Sequence, residues 1–372
     1  MEYIHQIEDL TADAVCLLKE MIAIPSPSFE EEAVCEHISQ WLDAKGVEYK
    51  RVGNNIIAEH IVSPARATLL MCAHIDTVGP SPEYSFDPYR PENCREDMVQ
   101  GLGSNDDGAS VVSMIAAYRY LCEEGCDIPT VSNTQMNIIL ALTCEEERSG
   151  KNGMTGLWPE LEPKVDFAIV GEPTGLKAAT AERGLLVIDA TAHGIAGHAA
   201  RNEGKNAIYI ALEDIERLRN HIFERISPRM GKVNLNVTQI KAGSAHNVIP
   251  DRCDFVIDIR PTEQYTNEEI FKELQAICIS ELKPRNLTNR SSATYEDSPL
   301  QKTAEELRIE TFSSPTTSDW MRISCDAVKM GPGESSRSHK KDEFVFVEEI
   351  RNGIQTYINF IKKLSTSLEI TE

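Results

Sequence analysis

The sequence predicts an α/β protein in which a mostly parallel sheet, buried on both faces, is interrupted by a smaller α+β insert. Three observations carry that expectation. Apolar runs at 68–73, 136–143 and 165–170 are short and unbroken rather than alternating, as in strands covered on both sides. A helical stretch rich in Ala, Val and Met, from about Gly108 to Leu121, lies among them. From about Lys177 the pattern changes to strands with apolar and polar residues in alternation, which fits a sheet with one covered face.

The elements follow in order. Ile7, Leu10, Ala14, Leu17, Leu18 and Met21 recur at helical spacing and predict an amphipathic helix over 7–22. In IPSPSFEEE, Ser28 is placed to cap a second helix and Glu31 to reach back, with Glu30 to Glu32 near its positive end. That helix carries Ala33, Ile38, Trp41 and Leu42 and should stop near Gly46. In the insert, 185–193, 232–241 and 253–261 read as strands, and 206–221 and 267–282 as helices. Val233, Leu235, Val237 and Ile240 supply the covered face of one strand. The segment 283–292 returns the chain to the first domain, completed by a helix near Thr303, an apolar strand at 327–332 and a helix from Val347 to about Leu364. The expected domains are therefore 1–177 joined with 291–372, and 178–290.

Composition narrows the function classes. With 41% apolar and 26% charged residues, the 372-residue chain is that of a folded globular protein. Its net charge of −22 disfavours phosphate backbones and anionic membranes, so neither nucleic acid nor a membrane is expected as a partner. No secretory signal and no membrane span is visible, and the ten cysteines are scattered, several within apolar runs. Cys122 and Cys126, the closest pair, lack both redox and zinc-ribbon spacing. The expectation is a cytoplasmic protein with reduced cysteines.

The residues that carry chemistry sit after the apolar runs. AHIDT puts His74 and Asp76 at the carboxyl end of a buried strand, with the Asp carboxylate placed to hold the imidazole. GLGSNDDGAS carries Asp106 and Asp107; TCEEE carries Glu145, Glu146 and Glu147; VGEPT carries Glu172. So much negative charge at one sheet edge is costly unless a cation neutralises it. Imidazole mixed with carboxylate favours Zn²⁺, or Co²⁺ or Mn²⁺, over Ca²⁺. The run GLGSND is not a dinucleotide loop, since it lacks the third Gly and an Asp pair would repel pyrophosphate.

AHIDT, GLGSNDDGAS, TCEEE, VGEPT, GIAGHAA, HNVIPD, DIRP and GPGESSRSH, in that order, resemble the M20 family of dinuclear zinc amidohydrolases, particularly the acetylornithine deacetylase and succinyl-diaminopimelate desuccinylase group. The resemblance covers nearly the whole chain. It implies two Zn²⁺ per subunit, one on His74 and Glu172, the other on Glu147 and His339, with Asp106 bridging and Asp76 orienting His74. It implies Glu146 as general base. The family's Asp-Glu-Glu can also be read one residue earlier, with Cys144 in place of the Asp, which brings Glu145 forward; the register of the following Lys151, Asn152 and Gly153 favours Glu146.

The insert is then a ferredoxin-like lid that also dimerises. His198 matches the lid histidine that stabilises the oxyanion, usually from the partner subunit, and Asn247 and Arg260 match positions that hold substrate. Arg183 and the Ser318, Asp319 pair also fit family segments. The expected reaction is hydrolysis of an N-acyl-L-amino acid, with N-acetyl-L-ornithine in arginine biosynthesis as first choice. Succinyl-diaminopimelate, acetylcitrulline, succinylornithine and short peptides are the competitors, and a metal-dependent binding protein of the same fold is the non-enzyme alternative.

Overall fold

Four strands, Thr68–His74, Asn137–Thr143, Phe167–Val170 and Asp326–Lys329, run parallel to one another in the computed structural model, which describes residues 2–91, 95–122, 136–201 and 203–369. Their order in the main sheet is 137–143, 68–74, 167–170, 326–329. Antiparallel neighbours flank them: Asn55–His60, in a hairpin with Lys50–Val52, on one side and Ala178–Glu182 on the other. Because the four parallel strands point the same way, their carboxyl ends share one edge of the sheet, where the loops bearing His74, Glu145 to Glu147, Glu172 and His339 emerge.

The unbroken apolar runs have a direct cause in the packing. Leu69, Met71 and Ala73 face a core shared with the helices Glu2–Ile22, Glu32–Ala44, Ala109–Cys122 and Val347–Glu369. Leu70 and Cys72, on the opposite pleat, face a second core with Met154, Leu157, Trp158 and Trp320. Helix 109–122 is apolar nearly all round because it lies under both 2–22 and 347–369.

The chain divides into two compact units, one of 1–180, 294–312 and 318–372, the other of 181–293 with 313–317. The sequence reading placed these divisions after 177 and 290. The second unit runs strand, helix, strand, strand, helix, strand: Leu186–His193, Ala207–Asn220, Asn234–Ala242, Arg252–Arg260, Asn267–Ile277 and Glu281–Pro284. Its antiparallel sheet has the spatial order fourth, first, third, second, the ferredoxin-like arrangement. Burial alternates along Leu186–His193 and Arg252–Arg260, so one face packs on the two helices. Asn206 caps the first helix through Ile208 N at 2.9 Å, and Thr266 and Glu269 form a reciprocal capping box on the second.

Three local expectations are corrected. The helix expected over 267–282 ends at Ile277, because the buried Asp214 carboxylate captures the N–H groups of Ile279 and Ser280 at 3.0 and 2.7 Å and turns the chain into a strand. Ser28 does not cap the second helix; its hydroxyl donates to Asp76 at 2.6 Å instead. Ile240 is 54% exposed although it pairs with buried Phe255, at the edge strand of the sheet beyond an irregularity at 237–239. The described cysteines are all free, and Cys126 lies outside the described residues. No helix among the described residues is long and apolar enough to cross a membrane.

Candidate metal centre

His74 ends its strand fully within the fold, in register with Thr143 of the neighbouring strand. Its Nε2 lies 3.3 Å from Asp106 Oδ1, and its Nδ1 lies 2.9 Å from the main-chain oxygen of Asp76. The Asp76 carboxylate also faces the ring, its Oδ1 3.5 Å from Nδ1. That carboxylate also accepts from three further donors: Ser28 Oγ at 2.6 Å and the N–H groups of Glu146 and Glu147 at 3.0 and 3.1 Å. Burial pushes the Asp76 carboxyl up, and His74, Ser28 and the Glu146 N–H outweigh it, holding the group below its ordinary value. Asp76 thus faces the ring with both its carbonyl and its carboxylate, and its side chain also gathers the acidic loop.

The triple acid divides its labour by backbone conformation. Glu145 takes left-handed dihedrals, with φ of 61°, and turns its carboxylate onto Asn152, accepting from Nδ2 at 2.6 Å and from the main-chain N–H at 3.0 Å. Gly150 lies against that carboxylate so closely that no Cβ fits there. The Glu145 N–H in turn donates to buried Glu31, which also accepts from Phe29 N. Glu147 points the other way, with its carboxylate 3.0 Å from His339 Nε2. His339 Nε2 also lies 3.7 Å from Asp106 Oδ2. Its pKa is pushed up to about 9, chiefly by the Glu147 hydrogen bond.

The site has the chemistry of a cation centre. Ligand atoms of His74, Asp106 and Glu147 lie within 4.8 Å of one another, and so do those of His74, Glu146 and Glu172. Burial pushes the carboxyls of Glu146 and Glu172 well above the ordinary range; neighbouring acids add to this, and His74 opposes it in both, as Lys329 does for Glu172. Two imidazoles and four carboxyl groups, crowded and desolvated, fit a pair of divalent cations better than they fit one another. Asp107 is not part of this convergence: it lies behind His74, accepts from its N–H at 3.4 Å, and is pushed up to about 8 by burial.

Several residues support the ligands; Asp319 was named from the sequence, whereas Glu343 was not. Glu343 accepts from the N–H groups of Gly103, Asn105 and Asp106 at 3.1, 2.8 and 2.9 Å. Asn105 bonds Glu334 by both its amide atoms. Asp319 takes a 2.7 Å bond from Thr143 Oγ1, and burial pushes its carboxyl up to about 6. Spacing from His339 could have flagged Glu343, but Lys340, Lys341 and Asp342 before it read as a solvated loop.

In the second unit, His198 is exposed on the short strand Gly197–His198, paired with Val248–Ile249, and its Nδ1 accepts from Ala200 N at 3.2 Å. Asn247 is exposed beside it, its carbonyl accepting from Ala199 N. Arg260 makes a two-pronged pair with Asp258 at 2.9 and 3.1 Å. Arg183 donates to the carbonyls of Met230, Lys232 and Arg260 and so braces the loop before Asn234–Ala242.

Comparison with known proteins follows the same two-part division. The peptidase dimerisation domain of the M20 type matches residues 180–286, and the peptidase family M28 description matches 55–164. A succinyl-diaminopimelate desuccinylase of Wolbachia pipientis wMel is 24% identical, covering 94% of this chain and 93% of its own. An acetylornithine deacetylase of Proteus mirabilis is 28% identical, covering 90% and 93%. The crystal structure of the Bacillus subtilis YXEP protein, a dinuclear metal binding peptidase from the M20 family, has the same fold at a TM-score of 0.73 and 16% identity, covering 97% of this chain and 99% of that one. With the dimerisation domain, the near full-length relatives and the fold in agreement, the chain is similar to M20 peptidases over nearly its whole length and is a metal-dependent amidohydrolase.

Proposed function

We propose that the protein hydrolyses the amide bond of an N-acyl-L-amino acid, with N-acetyl-L-ornithine as first substrate, giving L-ornithine and acetate in arginine biosynthesis. The observation that carries the reading is the meeting of His74, Asp106, Glu147 and His339 beside Glu146 and Glu172 at one sheet edge. In this reading His74 and Glu172 would hold one Zn²⁺, Glu147 and His339 the other, and Asp106 would serve both. Bound there, two divalent cations supply positive charge that polarises an amide carbonyl and acidifies water.

The chain's own groups do the rest. Glu146 accepts a proton from the attacking water and delivers it to the departing amine nitrogen. Its main-chain N–H is tied to Asp76, so the carboxylate is held while Glu145 is occupied elsewhere. His198 donates to the developing oxyanion, and Asn247 and Arg260 hold the substrate's α-carboxylate end, Arg260 exchanging Asp258 for it. The second unit forms the homodimer; its edge strand Asn234–Ala242 and the exposed Tyr209, Leu212 and Ile240 support that use. The free cysteines support a cytoplasmic location.

Succinyl-diaminopimelate is the second reading, favoured by the similarity to the Wolbachia desuccinylase. One screen separates them: N-acetyl-ornithine, N-acetyl-citrulline, N-succinyl-diaminopimelate, N-succinyl-ornithine and dipeptides at a single zinc loading. The first reading expects the highest kcat/KM on N-acetyl-L-ornithine; a preference for a succinyl or peptide substrate overturns it.

A further inference from the structure

Two loops far apart in sequence are locked together behind the metal centre. The Asp106 loop, 101–108, sends three N–H groups to the Glu343 carboxylate, from Gly103, Asn105 and Asp106. The Glu343 carbonyl accepts a fourth bond, from Gly101 N at 3.0 Å. Asn105 returns the grip: its Oδ1 accepts from Glu334 N at 2.9 Å and its Nδ2 donates to Glu334 O at 3.2 Å. Glu334 and Glu343 bracket the segment that presents His339 to Glu147 and Asp106. Glu343 is 2% exposed, so these bonds are desolvated.

We infer that Glu343 is a positioning residue that fixes the Asp106 loop to the His339 segment, so that both cation positions are built together. The inference rests on the proposed ligand set. Glu343 touches neither substrate nor cation; it acts through the main chain of Asp106. A carboxylate can serve all three N–H donors, Oε1 taking Asn105 and Asp106 and Oε2 taking Gly103. A glutamine cannot, because its amide group would set N–H against N–H at one position. Asp106 is the ligand proposed to be common to both ions, so its displacement weakens both.

The test titrates zinc alone into the chelator-stripped full chain by calorimetry, with melting curves on the same samples. Wild type, Glu343→Gln, Asn105→Ala and Asp214→Asn are compared. Asp214 is the matched control, another buried carboxylate that gathers main-chain N–H groups, from Ile279 and Ser280 in the second unit. Glu343→Gln should lower affinity for both ions by about 10- to 100-fold, and Asn105→Ala should weaken both less strongly. Asp214→Asn should lower Tm and leave both affinities unchanged. Wild-type affinity at either position in Glu343→Gln overturns the inference, as does an equal loss in Asp214→Asn. If Glu343→Gln does not fold, unchanged affinities in Asn105→Ala overturn it. Wild type taking up fewer than two zinc ions per chain rejects the ligand reading itself, and the inference with it.

Discussion

Glu145 and Asn152 are bonded twice, side chain to side chain at 2.6 Å and carboxylate to main-chain N–H at 3.0 Å. This pairing spends the first acid of the Glu145, Glu146, Glu147 run inside its own loop. The two that follow have their N–H groups gathered by Asp76. Three identical side chains in a row thus enter three different environments, decided by one left-handed residue.

Substituting the acids one at a time separates those environments. Glu146→Gln should lower kcat by about 10²- to 10⁴-fold with both zinc ions retained. Glu145→Gln should lower Tm while keeping most of kcat. Steady-state rates with metal analysis check both; a Glu145→Gln enzyme that is dead with full metal content would transfer the base to Glu145.

Asp76→Ala removes the acceptor for both acidic-loop N–H groups at once. Zinc affinity should fall by about 10- to 100-fold, as for other groups that orient ligands. Ser28→Ala, which removes one of the three donors to that carboxylate, should cost less. Competition with a chromogenic chelator measures the difference, and an unaffected Asp76→Ala would contradict the proposed loop function.

Removing the metal should destabilise the first unit, since it leaves His74, Glu146 and Glu172 crowded without compensation. Zinc at about 100 times its Kd should add about 2.7 kcal/mol. Differential scanning calorimetry of stripped and reloaded chain reads this as a higher Tm on reloading; equal curves would count against the site.

Acid should loosen the second unit through Asp214. Burial pushes this carboxyl up, but Ser280, the N–H of Ile279 and Arg217 outweigh it, so the folded-state pKa is depressed. Its stabilisation is therefore present above the unfolded value of about 3.9 and is lost as pH falls through the folded value. Asp214→Asn should cost about 1–3 kcal/mol at neutral pH, and the gap from wild type should close on acidification. A gap independent of pH between 7 and 2.5 would assign the effect to packing.

His198→Ala should lower kcat by about 10²- to 10³-fold with zinc content unchanged. If the donor comes from the partner subunit, mixing His198→Ala with Glu146→Gln chains should restore activity. No recovery despite proven subunit exchange would reject donation in trans.

The sheet and its edge were legible because both have simple signatures. Leu69 to Ala73 are apolar on both pleats, and parallel strands align their carboxyl ends, so the loops bearing His74, Glu146 and Glu172 were expected together. What escaped were contacts made across the chain. The helix stop at Ile277 depends on Asp214, 65 residues from Ile279, and periodicity within 267–282 carries no trace of it. The hairpin of Lys50–Val52 with Asn55–His60 was also missed, its first strand being only three residues. Side-chain alternation puts the Asp76 carboxylate toward the imidazole but gives no sign that the Asp76 carbonyl also reaches the ring, at 2.9 Å. Glu343 offers only its spacing from His339, since the partners of its carboxylate lie up to 240 positions upstream.

The clamp between Glu343 and the Asp106 loop bears on the order in which the protein is made. His74, Asp106, Glu147 and Glu172 leave the ribosome well before His339 and Glu343, which must fold back over 237 positions to reach Asp106 N and 192 to reach Glu147. Contacts of such separation close late in folding. A nascent chain that has extended only through the insert therefore carries four of the acids and imidazoles without the segment that aligns them. In the proposed ligand set, the pairing of Glu147 with His339 is therefore complete only once the segment from 334 to 343 has docked.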